Sequence, residues 1–122
     1  MTPRIVYPYG PAPDGVPVLW RCEAARYSYV IDADADRYGV TAPQLEMRWH
    51  RIDRRTPKGA WASGRFVLLT ATKRWACLTE EEALDSFIAR KQKHIRILTK
   101  QLKRAEEDLA LAYPRSAVLR VA

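Results

Sequence analysis

TEEEALDSFIARKQKHIRILTKQLKRAEEDLALA, Thr79 to Ala112, decides the fold. Thr79 and Glu82 have the spacing of a capping box, and Glu80, Glu81 and Asp85 suit the positive end of a helix dipole. Neither Gly nor Pro follows until Pro114, so the residues predict one helix from about 79 to Ala112, roughly 50 Å long, with 113–122 as a tail. Leu84, Ile88, Lys91, Ile95, Leu98, Leu102, Ala105, Leu109 and Ala112 recur at 4-3-4-3 spacing, the seam of a coiled coil rather than the wider stripe of a helix lying on a sheet. A seam wants a second helix, and a copy from another protomer is the economical source, so a homo-oligomer, dimer or higher, is expected. A break near Thr99, folding the stretch into a helical pair, is the alternative that the residues leave open.

Within this helix Ser86 to Ala105 carries seven Lys or Arg plus His94 and no carboxylate. At 100° per residue Lys93, Arg96, Lys100 and Arg104 turn away from the seam, where a solvated face explains them without a ligand. Lys91 is different, because it takes a seam position at which Leu or Ile would pack better. It either sets register and snorkels to water or, with Phe87, Arg90 and His94 along the seam's edge, lines a pocket between two helices. In such a pocket Arg90 gives bidentate hydrogen bonds to phosphate, Lys91 a point charge and Phe87 a face for a base.

Upstream, Val18 to about Leu78 favours strands. VLWRCEAARYSYVI is rich in β-branched and aromatic residues. QLEMRWHRI alternates, with Leu45, Met47 and Trp49 on one face and Glu46, Arg48 and His50 on the other, the pattern of a half-buried antiparallel strand. Pro57 and Gly59 fit a tight turn, so Arg51 to Arg55 and Ala60 to Ala62 should form a hairpin, with RFVLLTA as a further strand after Gly64. DADADRYGVTAP reads as a polar loop ending at Pro43. Residues 1 to 17 hold five prolines, which forbids a regular helix or a central strand and leaves an extended arm that Tyr7 and Tyr9 can pin to a surface. The expected architecture is α+β: an N-terminal antiparallel sheet over 18–78, then the long helix, in a single domain behind the arm.

With 122 residues, one core is as much as the chain can build. The formal charge of +7 favours an anionic partner without choosing its kind. No run approaches the ~18 consecutive apolar residues of a membrane span, and no apolar h-region follows Arg4, so a cytosolic protein without a membrane partner is expected. Cys22 and Cys77 lack CxxC spacing and read as small buried hydrophobes. Asp32, Asp34 and Asp36 begin like a calcium loop, but Arg37 stands where Gly is needed and Pro43 where an acid is needed. His50 and His94 have no Cys or carboxylate at ligand spacing. With no P-loop, nucleophile elbow or Cys-His signature, neither a cofactor nor an enzyme is expected. Of the four tryptophans, Trp61, just after the hairpin turn, is the one best placed to stack on a base.

In TPKGAW followed by KRWACLTEEEALDSFIARKQKHIRIL the chain resembles the small phage proteins of the Thoeris anti-defence one family, over roughly residues 45 to 111. The resemblance implies a short sheet before long helices and a non-enzymatic sponge. Such an oligomer binds cyclic ADP-ribose isomers, in some members cyclic oligonucleotides, without cleaving them, in the cytoplasm of an infected bacterial cell. It implies a ligand held between protomers by Arg90 and His94, with Phe87 beside them. The proline-rich arm and His94, where Arg would be expected, depart from the family's pattern. The rival reading is a phage protein that binds nucleic acid or inhibits a nuclease through Arg51, Arg54, Arg55, Lys58, Lys73 and Arg74, with the helix and the exposed aromatics.

Overall fold

The computed structural model describes residues 4–121, with side chains placed for 4–115, 119 and 120. Met1 to Pro3, the head of the arm, lie outside the described residues. Seven strands precede one helix: β1 (Ile5–Val6), β2 (Val18–Ala25), β3 (Ser28–Asp32), β4 (Arg37–Val40), β5 (Gln44–Arg55), β6 (Gly59–Ala62), β7 (Arg65–Leu68) and α1 (Glu80–Val121). The layout is the expected α+β one, an antiparallel-rich sheet and then a long helix. Contacts divide the chain into two units, Met1–Phe87 and Ile88–Ala122, so the arm belongs with the sheet.

β5 organises the first unit. β2 pairs antiparallel with it from Val18↔Arg51 to Ala25↔Gln44, and β1 pairs parallel with it at Ile5↔Leu45 and Val6↔Glu46. Because both partners take residues 45 and 46, they occupy opposite edges of β5. The far end of β5 pairs with β6, which pairs with β7, as the Pro57–Gly59 turn predicts. That turn is closed by Thr56, whose N–H donates to the Gly59 carbonyl at 2.9 Å and whose Oγ1 accepts from the Gly59 N–H at 3.1 Å. Ser63 and Gly64 then sit at φ 51° and 69°, the left-handed pair that a two-residue hairpin needs.

Period-two alternation gives β2 and β5 two faces, and each face has its own core. On one, Leu19 and Ile52 join Ala60, Ala62, Val67 and Ala76. On the other, Cys22, Met47 and Cys77 join Ala83 of α1, with Trp20, Leu45, Leu84 and Phe87 packed around them. The arm is anchored over this second face, since Trp20 and Trp49 stand directly opposite across the ladder. Tyr7 meets Trp20 edge-on at 6.3 Å, Tyr9 meets Trp49 at 6.0 Å, and the Trp49 indole N–H donates to the Gly10 carbonyl at 3.2 Å.

Four expectations need correction. VLWRCEAARYSYVI is not one strand but two, because β3 leaves the main sheet and pairs only with β4. Accordingly the stretch read as a polar loop is half of a hairpin: Asp32 Oδ1 accepts from the N–H groups of Asp34 and Ala35, Asp36 turns at φ 55°, and β4 returns from Arg37. The Tyr29 ring lies over Gly39, and only hydrogen there leaves it room. Glu46 does segregate from Leu45 and Met47, yet it is 1% exposed rather than solvated. Its Oε2 accepts from the Tyr27 hydroxyl and from Gln44 Nε2, and its Oε1 pairs with Arg48.

The fourth correction concerns α1. The helix runs unbroken past Thr99, which settles the open alternative, and through Pro114 to Val121, where the reading ended it at Ala112 with a tail. Pro114 has no N–H to give the Ala110 carbonyl, a local cost that the surrounding turns tolerate. At the other end only half of the capping box forms: the Thr79 hydroxyl accepts from the Glu82 N–H at 3.1 Å, while the Glu82 carboxylate goes to Arg74 at 2.9 Å. Among the described residues no helix is long and apolar enough to cross a membrane.

The Glu46 cluster makes acid stability testable. The Tyr27 hydrogen bond first, then those from Gln44 and Arg48, hold its carboxyl below the ordinary value of 4.5 against the opposing effect of burial. The unfolded chain therefore takes up the proton first, and stability is lost as pH falls from about 4.5 toward the lower folded-state value. Glu46→Ala should cost about 2 kcal/mol at neutral pH by chemical denaturation, and Glu46→Gln should flatten the acid limb; a flat limb in the wild type would sink the assignment.

Candidate functional site

β5, β6 and β7 turn one face inward and one outward. Ile52, Ala60, Ala62 and Val67 fill the inner face. Register places Arg54 opposite Trp61 and Trp61 opposite Phe66, so these three share the outer face. Trp61 is 37% exposed and Phe66 41%, with ring centroids 5.5 Å apart and planes inclined at 50°. The Arg54 guanidinium stands 5.7 Å from the Trp61 ring centre. Between the rings and the turn lies an open recess of about 470 Å³ lined by Thr56, Pro57, Lys58, Trp61 and Phe66.

Local sequence explains why this recess exists. Pro57 and Gly59 set the turn, and the Phe66 ring lies across Gly59, where a Cβ would stand 2.2 Å from the Val67 carbonyl oxygen and 2.8 Å from the ring. Residues 51–58 bring Arg51, Arg54, Arg55 and Lys58 against the single acid Asp53, and all four cations are exposed. Two ring faces and exposed cations beside an open recess suit a planar base carrying phosphate. Trp61 was legible from its place after the turn; Phe66 was not, since RFVLLTA gives no sign that its Phe faces outward.

A second polar group lies on the face of β2 and β5 that carries Glu46. Arg21 pairs with Glu23 and donates to the Trp75 carbonyl, and the guanidinium groups of Arg21 and Arg65 stand 5.0 and 4.7 Å from the Trp75 ring centre. His50 packs 4.7 Å from the same ring, and its Nδ1 lies 3.0 Å from Ser63 Oγ. Burial first, then the charges of Arg21 and Arg48, push the His50 imidazole below its ordinary range. These groups are spent on one another: the cations lie on Trp75 and on two carboxylates. Like charges also face each other across the ladder, Arg21 against Arg48 and Glu23 against Glu46, so each strand's own pair of opposite charges offsets the repulsion. Such a cluster stitches the sheet.

The remaining sequence-derived residues sit on α1. Phe87, Arg90, Lys91 and His94 fall at i, i+3, i+4 and i+7 and share a helix face. Phe87 is half-buried on the second core cluster, so its ring is used in packing. Arg90 is half-buried, while Lys91 and His94 are exposed. None of the four lines the recess at Trp61. Comparison with protein-family models, with curated proteins and with solved structures finds no match.

Gly59→Ala tests whether the platform depends on this close approach. It should destabilise the protein by about 1–3 kcal/mol, because the new methyl meets backbone as well as the flexible Phe66 ring, and it should alter the near-ultraviolet dichroism of Trp61. Unchanged stability and spectrum would remove Gly59 from the argument.

Proposed function

We propose that this protein is a non-catalytic binder of a nucleotide-type anion that self-associates through α1, the ligand being a small cyclic nucleotide that it sequesters without cleavage. The observation that carries the reading is the exposed Trp61–Phe66 pair with Arg54 and Lys58 at its border, a plate for a base beside cations for phosphate. The resemblance to phage anti-defence proteins supplies the cyclic ligand and the setting, the cytoplasm of an infected bacterial cell.

Self-association rests on the helix. Ile88, Ile95, Leu98, Leu102 and Leu109 are between 44% and 61% exposed along the heptad seam. An unbroken helix cannot fold back on its own seam, so a second copy is the economical source of a helical partner. A parallel pair in register brings copies of Lys91 together, with Arg90 and His94 beside them, and an anion between the chains relieves that repulsion. A second reading, single-stranded nucleic acid, is favoured by the openness of the recess and by the row of Arg51, Arg54, Arg55 and Lys58, which suits a continuous phosphate backbone.

Calorimetric titration with a cyclic ADP-ribose isomer, a cyclic dinucleotide and their linear counterparts tests the first reading. The cyclic ligand should saturate at a fixed ratio per protomer and be recovered unchanged. Trp61→Ala should weaken it about tenfold or more, the range of one lost base stack. Oligothymidylate bound with a steep salt dependence would instead establish the second reading, and no binding of any of these would overturn both. In the same preparations, light scattering should show an oligomer that Leu98→Asp reduces to a monomer; an oligomer that survives the charge would refute the seam.

A further inference from the structure

A second cavity lies where the proline-rich arm crosses the start of α1. It measures about 400 Å³ and is lined by Tyr7, Gly10, Pro11, Ala12, Trp20 and Glu80. Its shape is held by the arm: the Gly10 N–H donates to the Tyr7 carbonyl at 3.0 Å, and the Gly10 carbonyl accepts from the Trp49 indole at 3.2 Å. Tyr7 and Trp20 meet at an interplanar angle of 85°, so two aromatic surfaces stand as adjoining walls rather than as one stack.

Among the described residues Glu80 supplies the only charge in that lining. Of the three carboxylates in the first turn of α1, Glu82 is taken by Arg74, and no cation among the described residues is paired with Glu80. One carboxylate oxygen of Glu80, Oε1, is shut off from water and has no hydrogen-bond partner. The Glu80 carboxylate beside it first, then burial, hold the Tyr7 phenol above its ordinary pKa. Negative charge thus stands beside the two aromatic walls, at a single carboxylate. A primary ammonium brings three N–H donors to a lining with one carboxylate, whereas a quaternary ammonium needs only aromatic faces and a nearby anion.

We infer that the cavity formed by Tyr7, Trp20, Pro11 and Glu80 is a binding site for a small quaternary ammonium compound. Its size is within the range of small-molecule pockets. The site is separate from the recess at Trp61, and its ligand has the opposite charge.

Titration of the full-length protein with choline, followed by the indole N–H resonance of Trp20 assigned with Trp20→Phe, is the test. Choline should shift that resonance saturably. Its isostere, with a neutral carbon in place of nitrogen, and ethanolamine should each bind at least about tenfold more weakly. Glu80→Gln should abolish the preference for choline over the isostere, and Glu81→Gln, on the same turn but outside the cavity, should keep it. Tyr7→Leu should lose the same preference while preserving apolar volume, a second route should Glu80→Gln disturb the helix start. Equal binding of the isostere, or unchanged choline affinity in Glu80→Gln, would overturn the inference. Trp61→Ala should leave choline binding intact, so failure here and failure at the nucleotide recess are told apart.

Discussion

β5 carries pairing partners on both edges along its first part and a hairpin at its far end, so its alternation dictates what each face of the sheet does. The two faces solve burial differently. One is filled by apolar side chains, onto which the first turns of α1 and the arm's tyrosines pack. The other buries a carboxylate, and a buried charge is tolerated only with its hydrogen bonds satisfied. Tyr27, Gln44 and Arg48 meet that demand, and their positions tie the start of the β3–β4 hairpin, the first residue of β5 and its middle to one point.

From that frame the two candidate sites follow as edges. The recess at Trp61 forms beyond the point where β5 has left β2 and β6–β7 has a thin inner core; the alternation that turns Ala60, Ala62 and Val67 inward turns Trp61 and Phe66 outward, where they pack on each other. The cavity at Glu80 forms where the arm, too rich in proline to pair further, bridges from β1 back to β2. Both sites thus arise where regular pairing stops, and their chemistry is set by whichever side chains border the gap.

The helix, the Thr56–Gly59 hairpin and the strand character of β2 and β5 were legible because each rests on local rules: a cap, a turn pair, an alternation. Trp61 was legible for the same reason. What failed to show was whatever depends on partners far along the chain. Glu46 reads as a surface residue until Tyr27 is folded over it, and DADADRYG reads as a loop until Asp32 closes its turn. Pro114 reads as a stop although the helix absorbs it. Phe87 looks like a free ring by helical spacing, and only the positions of Met47 and Cys22 reveal it as core. The Glu80 cavity was beyond local reading, because its walls come from the arm, β2 and α1.

The β3–β4 hairpin has a consequence for how the protein behaves at high concentration. Tyr29, Val30, Ile31, Tyr38 and Val40 are each more than half exposed, on a two-stranded ribbon whose outer edges pair with nothing among the described strands. Helical seams close once they find a partner, but open strand edges propagate, since every added strand exposes a new edge. Asp32, Asp34, Asp36 and Arg37 at the ribbon's tip place charge beside those edges and act as gatekeepers against runaway stacking. The acidic run that resembles a failed metal loop thus stands where its charge opposes strand-on-strand stacking.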